Sequence, residues 1–406
     1  MAGRLTPRND LSPWTPPAPR SIVLGMRETS FETRMIHGQG ELDRPHGSVT
    51  LPIFQSTVFE YDPAKGTDSI QYPRLNNTPT HRVLHAQLAA IEGAEDALSF
   101  ASGMSAVATA LLSTLKAGDH LLVQEVLYGG TQAVIRYELP RFGITTDVLP
   151  SNPADWSKLV KPSTRAILVE SITNPLVQVM DLEAAAAFAR QHGLLSIIDN
   201  TFATPVNYRP LAHGFDIVLH SATKYLNGHS DLNAGALMGS KAHIGPIRTT
   251  SNRFGGCLDP HAAYLLHRGI KTLSVRVERQ NASAQKIAGW LAENSAIAAV
   301  NYPGLSSHPD HARAKKLFKG FGGMLSFRLR GGETAAANVL NRVRLFSHAP
   351  SLGGVESLVV RPATSTHREV SPADRAKIGI HDDLIRVSVG LEGVDDLITD
   401  LEQALR

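Results

Sequence analysis

The stretch Asp216-Ile-Val-Leu-His-Ser-Ala-Thr-Lys224-Tyr-Leu-Asn-Gly-His-Ser-Asp231 decides how the rest of the chain is read. Asp216 to His220 is a short apolar run of strand character, and Ser221, Thr223 and Lys224 follow at its C-terminal end. Open α/β sheets place their ligand sites at such ends. A lysine set among hydroxyls there suits Schiff-base chemistry with a carbonyl cofactor. An ordinary loop lysine with its charge in water satisfies the same local pattern, so the neighbouring segments must decide.

Upstream, His120-Leu-Leu-Val-Gln, Thr145-Thr-Asp-Val-Leu, Ala166-Ile-Leu-Val-Glu and Leu194-Leu-Ser-Ile-Ile read as further short strands. Helical segments lie between them, among them Gly130 to Phe142 and Asp181 to His192. Alternation of this kind predicts an α/β fold with a mainly parallel sheet and helices on both faces. Ala97-Leu-Ser-Phe-Ala-Ser-Gly103-Met104 followed by Ala106-Val-Ala-Thr-Ala-Leu-Leu reads as strand, small-residue turn and helix start. Val83, Leu84, Leu88 and Ile91 recur at helical spacing from His81 until Gly93 stops them.

From Thr29 to Asn77 the pattern is irregular, broken by Pro45, Pro52, Pro63 and Pro73. Residues 1–77 are therefore expected to form an extended arm that lies on a partner subunit. Beyond about His261 a periodic stretch from Ala262 to Asn294 predicts one or two extended helices. Met324-Leu-Ser-Phe-Arg-Leu, Ser357-Leu-Val-Val and Leu384-Ile-Arg-Val-Ser-Val then read as strands, and Val394 to Arg406 as a closing helix. The expected organisation is an arm over 1–77, a large domain over 78–265 and a smaller C-terminal α+β domain over 266–406.

With 406 residues, 40 Lys+Arg against 37 Asp+Glu, the chain carries no field strong enough to argue for nucleic acid or a membrane surface. No apolar run reaches the length of a membrane-spanning helix. The single cysteine, Cys257, excludes an intrachain disulfide and is compatible with a reducing compartment; a buried structural thiol is expected. The first thirty residues mix Arg4, Arg8 and Arg20 with Pro13, Pro16, Pro17 and Pro19. They lack the continuous apolar core of a secretory signal and read as a flexible lead-in.

Several residues could carry chemistry. Asp199 ends the apolar run Leu194–Ile198; it is either a structural acid bonded to nearby amides or the carboxylate that keeps a pyridinium nitrogen protonated. Ser102-Gly103-Met104 at a helix start offers free amides to a phosphate, and Ser221 and Thr223 offer hydroxyls to the same anion. Tyr128, before Gly129 and Gly130, can stack on a flat cofactor or exchange a proton, or simply be a loop tyrosine. Arg386 stands in an apolar strand, where it needs an anion, either a ligand carboxylate or an internal acid. His81 and His85 share a helix face with zinc-binding spacing, but no third ligand accompanies them, and no metal is expected.

Taken together, these segments resemble the pyridoxal-phosphate-dependent transsulfuration family, which includes cystathionine γ-synthase, cystathionine β-lyase, cystathionine γ-lyase and methionine γ-lyase. The resemblance runs from about Thr33 to the C-terminus. Its most specific pieces are Ser221-Ala-Thr-Lys-Tyr-Leu-Asn-Gly-His-Ser-Asp231, Arg268-Gly-Ile-Lys-Thr-Leu273, Ser351-Leu-Gly-Gly-Val-Glu-Ser357 and Arg386-Val-Ser-Val-Gly-Leu-Glu392. It implies an aminotransferase-like (type I) fold, with pyridoxal 5'-phosphate linked to Lys224, Asp199 on its ring nitrogen and Tyr128 on its ring face. It further implies that Gly103, Met104, Ser221 and Thr223 bind phosphate, completed by Tyr72 and Arg74 of the adjacent subunit. Asn174, Ser351 and Arg386 would hold the substrate's α-carboxylate.

Two positions depart from the family pattern. The stretch Tyr72-Pro-Arg-Leu-Asn-Asn-Thr-Pro-Thr80 is one residue longer than usual, and Pro350 stands where relatives tend to carry Glu or Tyr. The expected activity is a carbon-sulfur lyase using β- or γ-elimination on cystathionine or a related amino acid; the alternative is a γ-replacement enzyme acting on an activated homoserine ester. The family also implies a cytoplasmic homotetramer built from dimers with shared active sites.

Overall fold

The computed structural model describes residues 29–38, 45–366, 368 and 371–406. The expected lead-in over the first thirty residues lies almost wholly outside them. The strands of the larger sheet are β1 (Asp96–Phe100), β2 (His120–Gln124), β3 (Thr145–Leu149), β4 (Thr164–Glu170), β5 (Leu195–Asp199), β6 (Ile217–His220) and β7 (Gly235–Gly239). Those of the smaller sheet are β8 (Ile297–Asn301), β9 (Met324–Leu329), β10 (Ser347–His348), β11 (Leu358–Val360) and β12 (Leu384–Ser388). The helices are α1 (Phe31–His37), α2 (Pro79–Glu92), α3 (Gly103–Thr114), α4 (Gly129–Ala133), α5 (Leu182–Gln191), α6 (Thr204–Asn207) and α7 (Lys241–Phe254). They continue with α8 (Pro260–Ile270), α9 (Leu273–Glu293), α10 (His311–Leu317), α11 (Gly332–Arg342), α12 (Pro372–Lys377) and α13 (Val394–Leu405).

The larger sheet runs β1-β7-β6-β5-β4-β2-β3. It is parallel except for β7, which is antiparallel to both of its neighbours. Strand alternation divides the core: Ile167, Val169, Ile198 and Val218 face α2, α5 and α8, while Ala166, Leu168, Ile197 and Leu219 face α3 and α7. Burial on both faces explains why these strands read as continuous apolar runs. α2 starts with Pro79 in its first turn and ends at Gly93 in the left-handed conformation, φ 75, as its sequence signals predict.

β7 is absent from the sequence reading, and its composition explains why. Gly235 and Gly239 give it little strand propensity, yet neither position has room for a side chain. A Cβ at Gly235 would lie 2.2 Å from the Ser102 carbonyl oxygen, and one at Gly239 2.7 Å from that of Asp216. The strand is glycine-bounded because two other segments press against it, and one of them is the turn that opens α3.

The described part of the arm is less irregular than expected. It includes α1, which buries Met35 in the large core and receives a bond from Gln87 Nε2 to the Met35 carbonyl at 2.6 Å. Between residues 45 and 77 it consists of short 3-10 turns and extended stretches, with Val49, Val58 and Tyr61 exposed at 78%, 83% and 58%. α8 packs on α2, and α9 carries the chain onward: its first residues Leu273 and Val277 belong to the large core, whereas Ala284, Ile287 and Leu291 belong to that of the smaller sheet. The smaller sheet, β10-β11-β12-β9-β8, is antiparallel apart from its β10-β11 pair. No helix among the described residues is long and apolar enough to cross a membrane.

Candidate active site

A cavity of about 270 Å³ opens at the C-terminal ends of β4, β5 and β6, and both sheet domains line it. Gly103, Met104, Tyr128, Asn174, Asp199, Ser221, Thr223, Lys224, Ser351 and Arg386 all border it. These residues come from the ends of strands and the turns that follow them, the α3 start, and a loop and strand β12 of the smaller domain, so the fold gathers positions spread from Gly103 to Arg386.

At one end, Ser102 caps α3 by accepting the Ser105 N–H at 3.0 Å, which leaves the Gly103 and Met104 N–H groups without intrahelical partners. A Cβ at Gly103 would lie 2.9 Å from Ser221 Oγ; glycine lets the amides and the hydroxyl converge on one point. Thr223 Oγ1 both donates to the Ala234 carbonyl (3.1 Å) and accepts its N–H (2.9 Å), fixing the loop that carries Lys224. Tyr128 heads α4, and its ring folds back over Gly130, where a Cβ would come within 2.6 Å of the ring.

Asp199 accepts both the N–H and the hydroxyl of Thr201 on Oδ1, at 2.9 and 2.5 Å. No protein donor among the described residues reaches Oδ2. Thr201 Oγ1 in turn accepts the Ser221 N–H at 2.8 Å, tying the ends of β5 and β6 together. Burial raises the Asp199 pKa above the usual carboxylate value, and the Thr201 bonds and His220 oppose that shift.

Lys224 Nζ donates to Ser351 Oγ at 2.9 Å. Burial, then the Arg386 charge, lower its pKa below that of a free lysine, which is the direction a base or amine nucleophile requires. Arg386 is buried; it donates to Asn174 Oδ1 at 3.1 Å and to the Ser351 carbonyl at 2.7 Å, and its Nε has no partner among the described residues. No carboxylate among the described residues pairs with it, so the internal salt bridge that the sequence left open is absent. Burial brings its pKa down to about 10, and the group stays cationic at neutral pH.

Tyr72 and Arg74 do not reach this cavity within one chain. Tyr72 is 42% exposed, and Arg74 donates to the Asn252 carbonyl at 2.6 Å with its guanidinium 5.5 Å from the Tyr72 ring. Cys257, expected as a buried thiol, is half-buried; burial pushes its pKa up, and the Arg74 charge acts in the opposite direction. His81 and His85 are buried and bonded to protein groups: His81 to Thr78 Oγ1 and the Leu258 carbonyl, His85 to Ser99. Glu170 and Thr201 border the cavity without having been singled out from the sequence. Glu170 carried the same strand-end signal as Asp199.

An amide-lined anion cradle, an aromatic wall, an acid with a free oxygen and a lysine of lowered basicity, set on this α/β sheet, define a pyridoxal-phosphate enzyme of the type I fold. The chain belongs to the Cys/Met metabolism PLP-dependent enzyme family, whose model matches residues 32–406. It is 42% identical over 379 residues to a cystathionine beta-lyase of Lactococcus lactis subsp. cremoris, covering 93% of this chain and 99% of that protein. An L-methionine gamma-lyase of Fusobacterium nucleatum subsp. nucleatum is 40% identical over 392 residues, covering 94% and 99%. The crystal structure of cystathionine gamma-lyase from Lactobacillus plantarum complexed with L-serine superposes with a TM-score of 0.88 at 38% identity, covering 93% of this chain and 98% of that one.

Proposed function

We propose that this protein is a carbon-sulfur lyase of sulfur amino-acid metabolism, eliminating a thiol from Cβ or Cγ of cystathionine or a related amino acid. The observation that carries this reading is the junction at Ser351. Its hydroxyl accepts Lys224 Nζ at 2.9 Å while its carbonyl accepts Arg386 at 2.7 Å. A base thus stands next to an unpaired cationic receptor for a carboxylate, as removal of the α-proton of an amino acid demands.

Lys224 would hold pyridoxal phosphate, whose ring withdraws electrons from Cα when bound. Asp199 Oδ2 would take the ring nitrogen, Tyr128 would cover the ring, and Gly103, Met104, Ser221 and Thr223 would hold the phosphate. Arg386 clamps the substrate carboxylate with Asn174 and Ser351 beside it. Lys224 Nζ then removes the α-proton, loss from Cγ requiring that a Cβ proton be taken as well, and the Tyr128 phenol supplies a proton to the departing sulfur as the carbon-sulfur bond breaks. Tyr72 and Arg74 of a second copy complete the phosphate site. The exposed apolar residues of the arm support this sharing, and we propose a homotetramer of two such dimers, working in the cytoplasm.

The test is product analysis of the holoenzyme given L-cystathionine and L-methionine separately. Homocysteine with pyruvate marks β-elimination; cysteine with 2-oxobutanoate, or methanethiol with 2-oxobutanoate, marks γ-elimination. Turnover confined to an O-acyl-homoserine plus a thiol acceptor overturns the lyase reading in favour of γ-replacement.

A further inference from the structure

β4 and β5 end side by side, and each ends in an acid: Glu170 stands in register with Asp199. Strand alternation sends Glu170 to the side of Ala166 and Leu168, and Asp199 to the side of Ile197. That is one face of the sheet, and both residues border the cavity. Glu170 is only 6% exposed. Its N–H is pinned by Gln124 Oε1 at 2.8 Å, and its own Oε1 accepts the main-chain N–H of Tyr128 at 2.6 Å.

Neighbouring carboxylates in a desolvated site do not both ionise readily. Among the described residues Asp199 receives two donors from Thr201, whereas Glu170 receives only the Tyr128 N–H. The less solvated member of such a pair keeps the proton.

We propose that Glu170 is a positioning residue that acts as a neutral carboxylic acid. It ties the Tyr128 main chain to the end of β4, so that the phenol lies against the cofactor ring, and it leaves Asp199 the single anion at the ring nitrogen. Burial and the Asp199 charge push the Glu170 carboxyl well above the usual range, with the Tyr128 N–H acting in the opposite direction. Lys224 and Arg386, the cations of the cavity, border the same space, and His220 bears on the pair through Asp199. The inference rests on the roles proposed above for Tyr128 and Asp199.

Glu170→Gln and Glu170→Ala separate the possibilities. Glutamine keeps the acceptor for the Tyr128 N–H and copies the neutral acid. Glu170→Gln is therefore expected to bind pyridoxal phosphate within about twofold of wild type and to keep the visible circular dichroism of the bound cofactor. Glu170→Ala leaves the Tyr128 N–H without its acceptor, and is expected to weaken cofactor binding about tenfold and to diminish that signal. Both apoproteins are compared with wild type by thermal unfolding, which a purely structural role would move while leaving the dichroism per bound cofactor unchanged. A Glu170→Gln protein as impaired as Glu170→Ala shows that the charge matters and overturns the proposal, as does a Glu170→Ala protein indistinguishable from wild type. A wild-type protein that takes up no pyridoxal phosphate overturns the proposed function and this inference together.

Discussion

Replacing Arg386 with alanine should cripple substrate capture while sparing both the fold and the cofactor. Among the described residues the buried guanidinium bonds only to Asn174 Oδ1 and the Ser351 carbonyl, and Nε is left unpartnered. A substrate carboxylate would restore two charge-assisted bonds of ~1.5–3 kcal/mol each. Their loss, ~3–6 kcal/mol, corresponds to a fall in kcat/KM of about a hundredfold to ten-thousandfold at ~1.4 kcal/mol per decade, carried mostly by KM. Deleting a buried cation that has no carboxylate partner also removes its desolvation cost, which offsets the two lost bonds, so the melting temperature should stay within about 4 °C. Cofactor affinity should change by less than about threefold, because Arg386 bonds to Asn174 and Ser351 and to none of the residues proposed to hold pyridoxal phosphate. Steady-state 2-oxoacid release, thermal unfolding and a cofactor titration are measured on the same preparation. Arg386→Lys, a point charge without the planar fork, should fall between alanine and wild type. A KM within about threefold of wild type for Arg386→Ala would refute the carboxylate assignment.

Three further outcomes follow from the geometry. Arg276 is buried among main-chain carbonyls, donating to those of Tyr225 (2.8 Å) and Gly269 (2.9 Å); Arg276→Met should lose ~2–5 kcal/mol of stability by leaving them unpaired, measured by denaturant unfolding. In Lys224→Met apoprotein the penalty for burying an ammonium disappears. The folded lysine has the lower pKa, so the wild type gains stability as pH rises from that folded value to the unfolded one. The variant should therefore be the more stable protein at pH 7, with its advantage shrinking towards pH 10, as paired thermal scans would show. Val58→Asp, at an 83% exposed arm position, should change the stability of one chain by less than about 0.5 kcal/mol yet lower the assembly mass in light scattering, and an unchanged mass would count against the arm as an interface.

How much of this was legible in the sequence depends on how local each cause is. Lys224, Asp199 and the Gly103 turn announce themselves because a polar residue closing an apolar run lies at a strand end, and strand ends line the cavity. Glu170 ends its run in the same way, but its significance comes from the register that sets it beside Asp199. That pairing joins segments whose spacing carries no code for it. β7 escaped notice because the steric reason for its glycines lies in Ser102 and Asp216, distant in sequence. α1 was hidden in a proline-rich context, although Ser30 caps it and Met35 anchors it. Tyr72 and Arg74 stay away from the cavity of their own chain, as the sharing of the site between two copies proposed above would require.

The cavity's charges are segregated in a way that bears on the order of events. Glu170 and Asp199 close β4 and β5, while Lys224 and Arg386 meet at Ser351. After burial, the Arg386 charge is what lowers the proton affinity of Lys224. An amino acid entering with its carboxylate on Arg386 would cancel that charge just beside the amine. Lys224, released from the cofactor and unprotonated, would then regain proton affinity as the α-carbon comes within reach, and so would take the α-proton with a larger driving force than if the Arg386 charge stood uncancelled. On this reasoning Arg386 does more than orient the substrate: its neutralisation couples binding to basicity, so an analogue lacking the carboxylate loses catalytic rate as well as affinity. A decarboxylated substrate whose kcat matched that of the parent amino acid would show that the two cations act independently.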